Sequence, residues 1–343
     1  ADGSNGGLAA NYTLSGGTHQ LTVNQRPLNA TLARQYDATT TSAGSTLSSF
    51  DALQGGENLT MTGSGIASSA NVSNSISMAD NGNLSLADGT GGSAGLASNY
   101  SLNSTVINIT QRVLNSSGSK IYDANTDAIA DAITLSNLAG GESLVHSGTA
   151  STSSANAGNY TINNLSGTNI SNGTGLASNY TLTGGTHDFT IEKRVLSVSG
   201  TRLYDATTNA SSSDLSTHSN LIGSQTLSLS GTGSIVDKNV QLNKVVSVGS
   251  LSLADGSNGG LASNYTLTGG THRLSVTQRP LVATLSRQYD GTTTALGTSI
   301  SSFDALQGGE NLTMNGTGTA ASLNVSNAIA MSNNGDLALS HGT

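Results

Sequence analysis

Four copies of one phrase fix what this chain can fold into. QRPLNATLARQYDATT at Gln25–Thr40 returns as QRVLNSSGSKIYDANT from Gln111, as KRVLSVSGTRLYDATT from Lys193 and as QRPLVATLSRQYDGTT from Gln278. The tyrosine of the Tyr-Asp pair falls at Tyr36, Tyr122, Tyr204 and Tyr289, giving spacings of 86, 82 and 85 residues. A second anchor, LAxNYxL, falls at Leu8–Leu14, Leu96–Leu102, Leu176–Leu182 and Leu261–Leu267. Such a period exceeds the roughly 20–45 residues of a solenoid coil and suits small β domains. The phrase divides the chain into repeats at 25–110, 111–192, 193–277 and 278–343, preceded at 1–24 by the closing part of another.

A longer period lies above this one. Residues 1–78 match residues 254–331 closely at a constant offset of 253, so three repeats form one super-repeat. Thr343 then aligns with Thr90, and both ends of the sequence fall in the same loop of the repeat. The reading preferred on sequence is a window cut from a longer array; the alternative is that the ends of successive chains complement each other in a filament.

Each repeat reads as all-β. Arg26–Tyr36 alternates, with Leu28, Ala30 and Leu32 on one face, and predicts a long first strand. Further short strands are predicted at Leu59–Thr62, Asn71–Met78 and Leu84–Leu86, with at most one helical turn at Ser48–Leu53. Tyr100–Leu102 and Val106–Thr110 predict a closing hairpin. Six or seven short strands suggest an immunoglobulin-like β-sandwich or a partly open barrel. Apolar residues are only 35% and charged residues 9%, so Ser, Thr, Asn and Gly supply the polarity. Disordered chains combine low hydrophobicity with high charge, which is not the pattern here. His19–Asn24 runs into Gln25–Leu28 with no Gly/Ser linker, so the modules are expected to join end to end as a stiff array.

Composition narrows the partners. A net charge of −8 argues against nucleic acid, and zero cysteines exclude disulfides and thiolate metal sites. No stretch approaches the roughly 20 apolar residues of a membrane helix.

The pattern [KR]-x-Y-D-x-x-T that opens at Arg202, the strand at Leu227–Gly233, DKNV at Asp237–Val240, and then SLSLADG and NYTL resemble the YDG-type repeat. Such repeats, with related glycine-rich modules, occur in filamentous-haemagglutinin-like bacterial surface adhesins. The third repeat matches best. Repeats one and four read NVSN (Asn71–Asn74, Asn324–Asn327) in place of DKNV, and repeat two carries a second NY at Asn159–Tyr160. The resemblance implies a secreted, surface-displayed, all-β repeat protein without enzyme activity, and no particular receptor.

The recurring side chains read as scaffold. All nine tyrosines belong to two motifs: Tyr36, Tyr122, Tyr204 and Tyr289 to YD, and Tyr12, Tyr100, Tyr160, Tyr180 and Tyr265 to NY. A binding surface varies and exposes its aromatics, so these predict rings packed in a thin core with hydroxyls tied to backbone. Asp37, Asp123, Asp205 and Asp290 then cap the following turn through an Asx bond. Arg26, Arg112, Arg194 and Arg279 open the repeats. A second basic set, Arg34, Lys120, Arg202 and Arg287, shares a strand face with its tyrosine and permits stacking. Glu57, Glu142 and Glu310 recur in a GGE turn, replaced by Gln225 in repeat three.

Catalytic and cofactor chemistry finds no pattern. There is no GxSxG elbow and no recurring carboxylate pair. His19, His187 and His272 recur without a carboxylate cluster and read as hairpin flanks. The ADG loops at Asp2, Asp88 and Asp255 offer oxygen ligands of the kind calcium takes, but lack calcium-roll spacing, and turns use Asp and Gly anyway. Two functions follow. The preferred one is a stiff stalk or filament shaft of an adhesin or extracellular fibre, in surface attachment or biofilm matrix, whose partners are neighbouring modules or copies of the chain. The alternative is a multivalent module binding host or matrix glycan.

Overall fold

In the computed structural model, residues 3–162, 165 and 167–342 are described. The all-β expectation holds. Many small sheets make up the chain, and the helical pieces among the described residues are three-residue 3-10 turns. Two compact units draw, among the described residues, on 3–118, 129–150 and 161–188 for the first and on 119–128, 151–160 and 189–342 for the second.

In the first unit, the long opening strand Arg26–Gln35 buries Leu28, Ala30 and Leu32 on alternate positions, as a half-buried strand should. The closing strand Tyr100–Thr110 lies beside it in parallel, from Arg26 opposite Tyr100 to Gln35 opposite Thr110. Ser73–Asp80 flanks the closing strand on its other side, antiparallel, bringing Ile76 opposite Ile107. The full order is Thr41–Ala43, Ser64–Ala67, Ser73–Asp80, Tyr100–Thr110, Arg26–Gln35, Leu47–Phe50. Thr60–Thr62 pairs with Ser85–Ala87 in a second, small sheet. The start of repeat two follows the same plan: Arg112–Val113 runs parallel to Tyr180–Thr181, and Asn115–Gly118 is antiparallel to Ile133–Ser136. One core cluster joins Leu32, Met61, Ile107 and Ile109 of the first repeat to Leu114, Ala139 and Tyr180 of the second.

In the second unit, repeat three sets Ser197–Leu203 parallel to Arg273–Thr277, with Gln241–Val245 antiparallel on the far side. Arg194–Val195 runs parallel to Tyr265–Thr266. Repeat four contributes shorter pairs: Ala283–Leu285 with Ile300–Phe303, and Leu312–Asn315 with Ala338–His341.

Two local expectations are corrected. Residues 48–53 hold no helical turn; Gly44–Thr46 forms a 3-10 turn and Leu47–Phe50 is a strand. The closing segment is not a hairpin either. In repeat one it is a single strand of 11 residues. In repeat three its two halves both run parallel to the opening segment, whereas hairpin arms would run opposite ways. The glycine pair between the halves makes a local excursion, after which the chain resumes its direction. Gly269 takes φ +83°, and a Cβ on Gly270 would stand 2.0 Å from the Leu196 carbonyl, so the sequence needs glycine at both.

Candidate functional site

The recurring residues converge where one repeat meets the next. The Tyr36 ring, 3% exposed, leaves its own opening strand and meets Tyr180 of the following repeat edge to face, with centroids 5.3 Å apart. Both hydroxyls donate to one carboxylate: Tyr36 to Glu142 Oε1 at 2.7 Å and Tyr180 to Oε2 at 2.5 Å. The Tyr180 hydroxyl also accepts from the Ala139 amide at 3.1 Å. Such ring pairs add about 0.5–1.5 kcal/mol beyond the area they bury. Burial, and then the bond to Glu142, push the Tyr36 phenol up to about 12. The same causes in the same order raise Tyr180.

Three further contacts close this joint. Arg112, the opening arginine of repeat two, donates from Nη1 to the Tyr36 carbonyl at 3.3 Å and from Nε and Nη2 to Asn137. Asn179, 1% exposed and just before Tyr180, accepts from the Val72 amide at 2.9 Å. Its Nδ2 donates to Asn71 Oδ1 at 2.9 Å. The NVSN stretch is therefore a seat for the asparagine of the next repeat.

The second joint lies within the other unit and repeats the plan. Tyr122 and Tyr265 meet at 5.3 Å, edge to face. Gln225 stands between them, its Nε2 donating to the Tyr122 hydroxyl at 2.9 Å and its Oε1 accepting from Tyr265. Arg194 donates to the Tyr122 carbonyl at 3.3 Å, and Asn264 bonds the Ala157 amide and Asn156. At the third boundary Tyr204 donates to Glu310, Arg279 donates to the Tyr204 carbonyl at 2.6 Å, and Lys238 of the DKNV stretch reaches Glu310 at 2.5 Å. The bond from Lys238 and that from Tyr204 hold the Glu310 carboxyl below its usual range. In repeat one, Tyr100 donates to Glu57 at 2.5 Å and accepts from the Gln54 amide.

The Tyr-Asp turns are self-contained. Asp37, Asp123, Asp205 and Asp290 each accept from the amide two residues on, at 2.9 to 3.1 Å. The second basic set goes to these aspartates: Arg34 to Asp37, Lys120 to Asp123, Arg202 to Asp205 and Arg287 to Asp290. Between Asp and Thr the backbone is left-handed at Ala38, Ala124 and Ala206, with φ of 65°, 65° and 60°; repeat four places Gly291 there.

The other polar candidates have structural partners. His272 Nδ1 accepts from the Val198 amide, so Nε2 carries the proton and donates to the Leu267 carbonyl. His187 lies against the Leu182 carbonyl and Ser116 Oγ. Asp88 and Asp255 accept from the Ala97 and Ala262 amides, which starts the turn before each NY tyrosine. Asp2 lies outside the described residues. Among the described residues no three His, Asp or Glu side chains gather as a metal site, and no helix is long and apolar enough to cross a membrane.

Sequence reasoning named Glu142, Gln225 and Glu310 as recurring turn residues but not as partners of the tyrosine hydroxyls, and it missed the roles of Asn179 and Asn264. Their recurrence in GGE and NY was the available signal. Across the first joint, Tyr36, Glu142 and Tyr180 form a Tyr–Glu–Tyr clamp.

The second joint falls in a recognisable family frame, and so does the first apart from Tyr36, Asn71 and Val72. The YDG domain family model matches residues 108–187 and 192–272. These two stretches are YDG-type repeats. No curated protein and no solved structure matches it. Each YDG match takes in an opening arginine, a Tyr-Asp turn, a Glu or Gln, and an Asn-Tyr anchor, which are the parts from which the joints are made.

Proposed function

We propose that this chain is a non-enzymatic structural region of a secreted bacterial adhesin or extracellular fibre. Its repeats act as tandem β-sandwich modules of about 85 residues, joined end to end as a stiff stalk or filament shaft at the cell surface or in a biofilm matrix. One observation carries this reading. At three successive boundaries the same side chains tie one repeat to the next without a flexible linker: the Tyr-Asp tyrosine to Glu142, Gln225 or Glu310, and the next arginine to that tyrosine's carbonyl.

Joints of this kind resist bending because half-buried polar groups that bond one another are costly to separate. The clamp hydroxyls serve packing and offer no nucleophile, base and oxyanion donor in one place. Small-angle scattering on the monomeric chain tests the reading: a rod-like distance distribution is expected, and a compact or freely jointed particle overturns it. Saturable binding on a glycan array would replace the stalk with the multivalent glycan-binding reading.

A further inference from the structure

Two histidines stand where the other repeats place apolar side chains. On one strand pair Met61 lies opposite Leu86, Leu229 opposite Leu253 and Met314 opposite Leu339; in repeat two it is His146 that lies opposite Ile170. On another pair Phe50 lies opposite Ala30, Leu135 opposite Ser116 and Phe303 opposite Ala283; in repeat three it is His218 that lies opposite Val198. Met61 is buried, and Phe50 and Leu135 pack against the core cluster that holds it. Both places therefore face a core.

Neither histidine is provided for as a polar group. Both ring nitrogens of His146 are buried without a hydrogen-bond partner, and so is Nε2 of His218. His187 and His272 differ, since both nitrogens of each ring have partners. A neutral imidazole is tolerated in such a seat; an imidazolium brings a charge and a second N–H donor that nothing satisfies. Burial accordingly holds both rings below the ordinary histidine value. At His146 the Ala130 carbonyl, which faces the ring outside hydrogen-bond geometry, opposes burial more weakly, and His187 adds to it. No other titratable or charged group acts on His146, and none acts on His218.

Each ring also sits beside a joint. His146 lies on the strand Leu144–Ser151, which begins just after Glu142 of the first clamp. His218 lies on the strand Thr217–Ser219, which leads directly into Asn220. Asn220 accepts from Arg194 through its carbonyl and its side chain, and Arg194 holds the Tyr122 carbonyl of the second joint.

We propose that His146 and His218 make these two joints acid-labile: protonation drives each ring out of its core and frees the strand that leaves Glu142 or enters Asn220. A histidine held below its ordinary value of 6.5 contributes its stability in full above that value and loses it as the pH falls through the folded value. Repeat one, with Met61 and Phe50 in the two places, keeps its strands over the same range. The proton is thus a ligand for repeats two and three alone, biasing each between a seated and a released strand. The inference concerns the joints and does not rest on the fibre reading.

Hydrogen–deuterium exchange of the whole chain, read by mass spectrometry and corrected for the intrinsic pH dependence of exchange, is the test. From about pH 7.5 to about pH 5.5, protection of peptides covering Leu144–Ser151 and Thr217–Ser219 is expected to fall about tenfold, while that of Thr60–Thr62 stays. His146→Met with His218→Phe places the repeat-one residues in both seats and abolishes the fall. Unchanged protection in the wild-type chain overturns the proposal, as does an equal fall at Thr60–Thr62 or a fall that persists in the double variant. Should that variant fail to fold at neutral pH, nuclear magnetic resonance of the wild-type histidine rings decides. Titration midpoints below 6.5 for both His146 and His218 support the proposal, and a midpoint at or above 6.5 for either overturns it.

Discussion

The joint built on Glu142 and the joint built on Gln225 hold equivalent tyrosines in the same pose with different chemistry. Both ring pairs stand 5.3 Å apart, at 78° and 76°. A carboxylate accepts from both hydroxyls in the first; in the second an amide accepts from one hydroxyl and donates to the other. The pose therefore does not depend on charge. It comes from backbone: each NY tyrosine accepts an amide bond, and each preceding YD tyrosine is pinned by an arginine on its carbonyl. The side chain between the rings fills a place that packing has already made.

The largest effect separates packing from charge. Tyr180→Ala and Tyr265→Ala each remove a buried ring and are expected to lose about 3–4 kcal/mol. Urea unfolding followed by circular dichroism should show similar losses at both joints. A much smaller loss at the Gln225 joint would mean that the carboxylate, after all, carries the first. Asn179→Ala and Asn264→Ala come next. Each leaves a half-buried main-chain amide, of Val72 or Ala157, without its acceptor, at a cost of about 1 kcal/mol.

The carboxylate should show itself at high pH. Tyr36 is raised to about 12 by burial, and then by its bond to Glu142. A phenol whose folded value lies above its unfolded one stabilises the fold fully below the unfolded value near 10. That contribution is lost as the pH rises from there through the folded value. Glu142→Gln keeps the burial and removes the carboxylate, so the loss should begin and finish over a narrower pH range. Near neutral pH the same variant should change stability by less than about 1 kcal/mol, because Gln225 already works in that place. Ultraviolet titration of tyrosine ionisation in both chains checks this; identical curves would mean that burial alone raises Tyr36.

Part of this was legible in the sequence. The Tyr-Asp turn is local, and Asp with the amide two residues on predicts its own bond. The alternation of Arg26–Tyr36 likewise fixes which side chains face inward. The clamp was not legible. Glu142 lies 106 residues from Tyr36, and a repeat period gives equivalence between positions without saying which ones touch across a boundary. The parallel closing strand was hidden for a similar reason. A glycine pair between two apolar runs is a hairpin signal, and only the register with the opening strand shows that the chain turns aside and resumes its course.

The smallest effect tests what the two joints should share. Ala38 and Ala124 follow the YD aspartate with φ of 65°, in the left-handed region. An L side chain there costs about 1–2 kcal/mol, and glycine removes that cost while losing part of it back as unfolded-chain entropy. Ala38→Gly and Ala124→Gly should therefore each stabilise the protein, by about 0.5–1 kcal/mol. The turn is closed at both joints by its own Asp37 or Asp123 and by Arg34 or Lys120, but the gain should be smaller at half-buried Ala38, whose methyl packs against the core cluster holding Ala139 and Tyr180, than at exposed Ala124. Equal gains would mean that the Ala38 methyl adds nothing to the packing of the first joint.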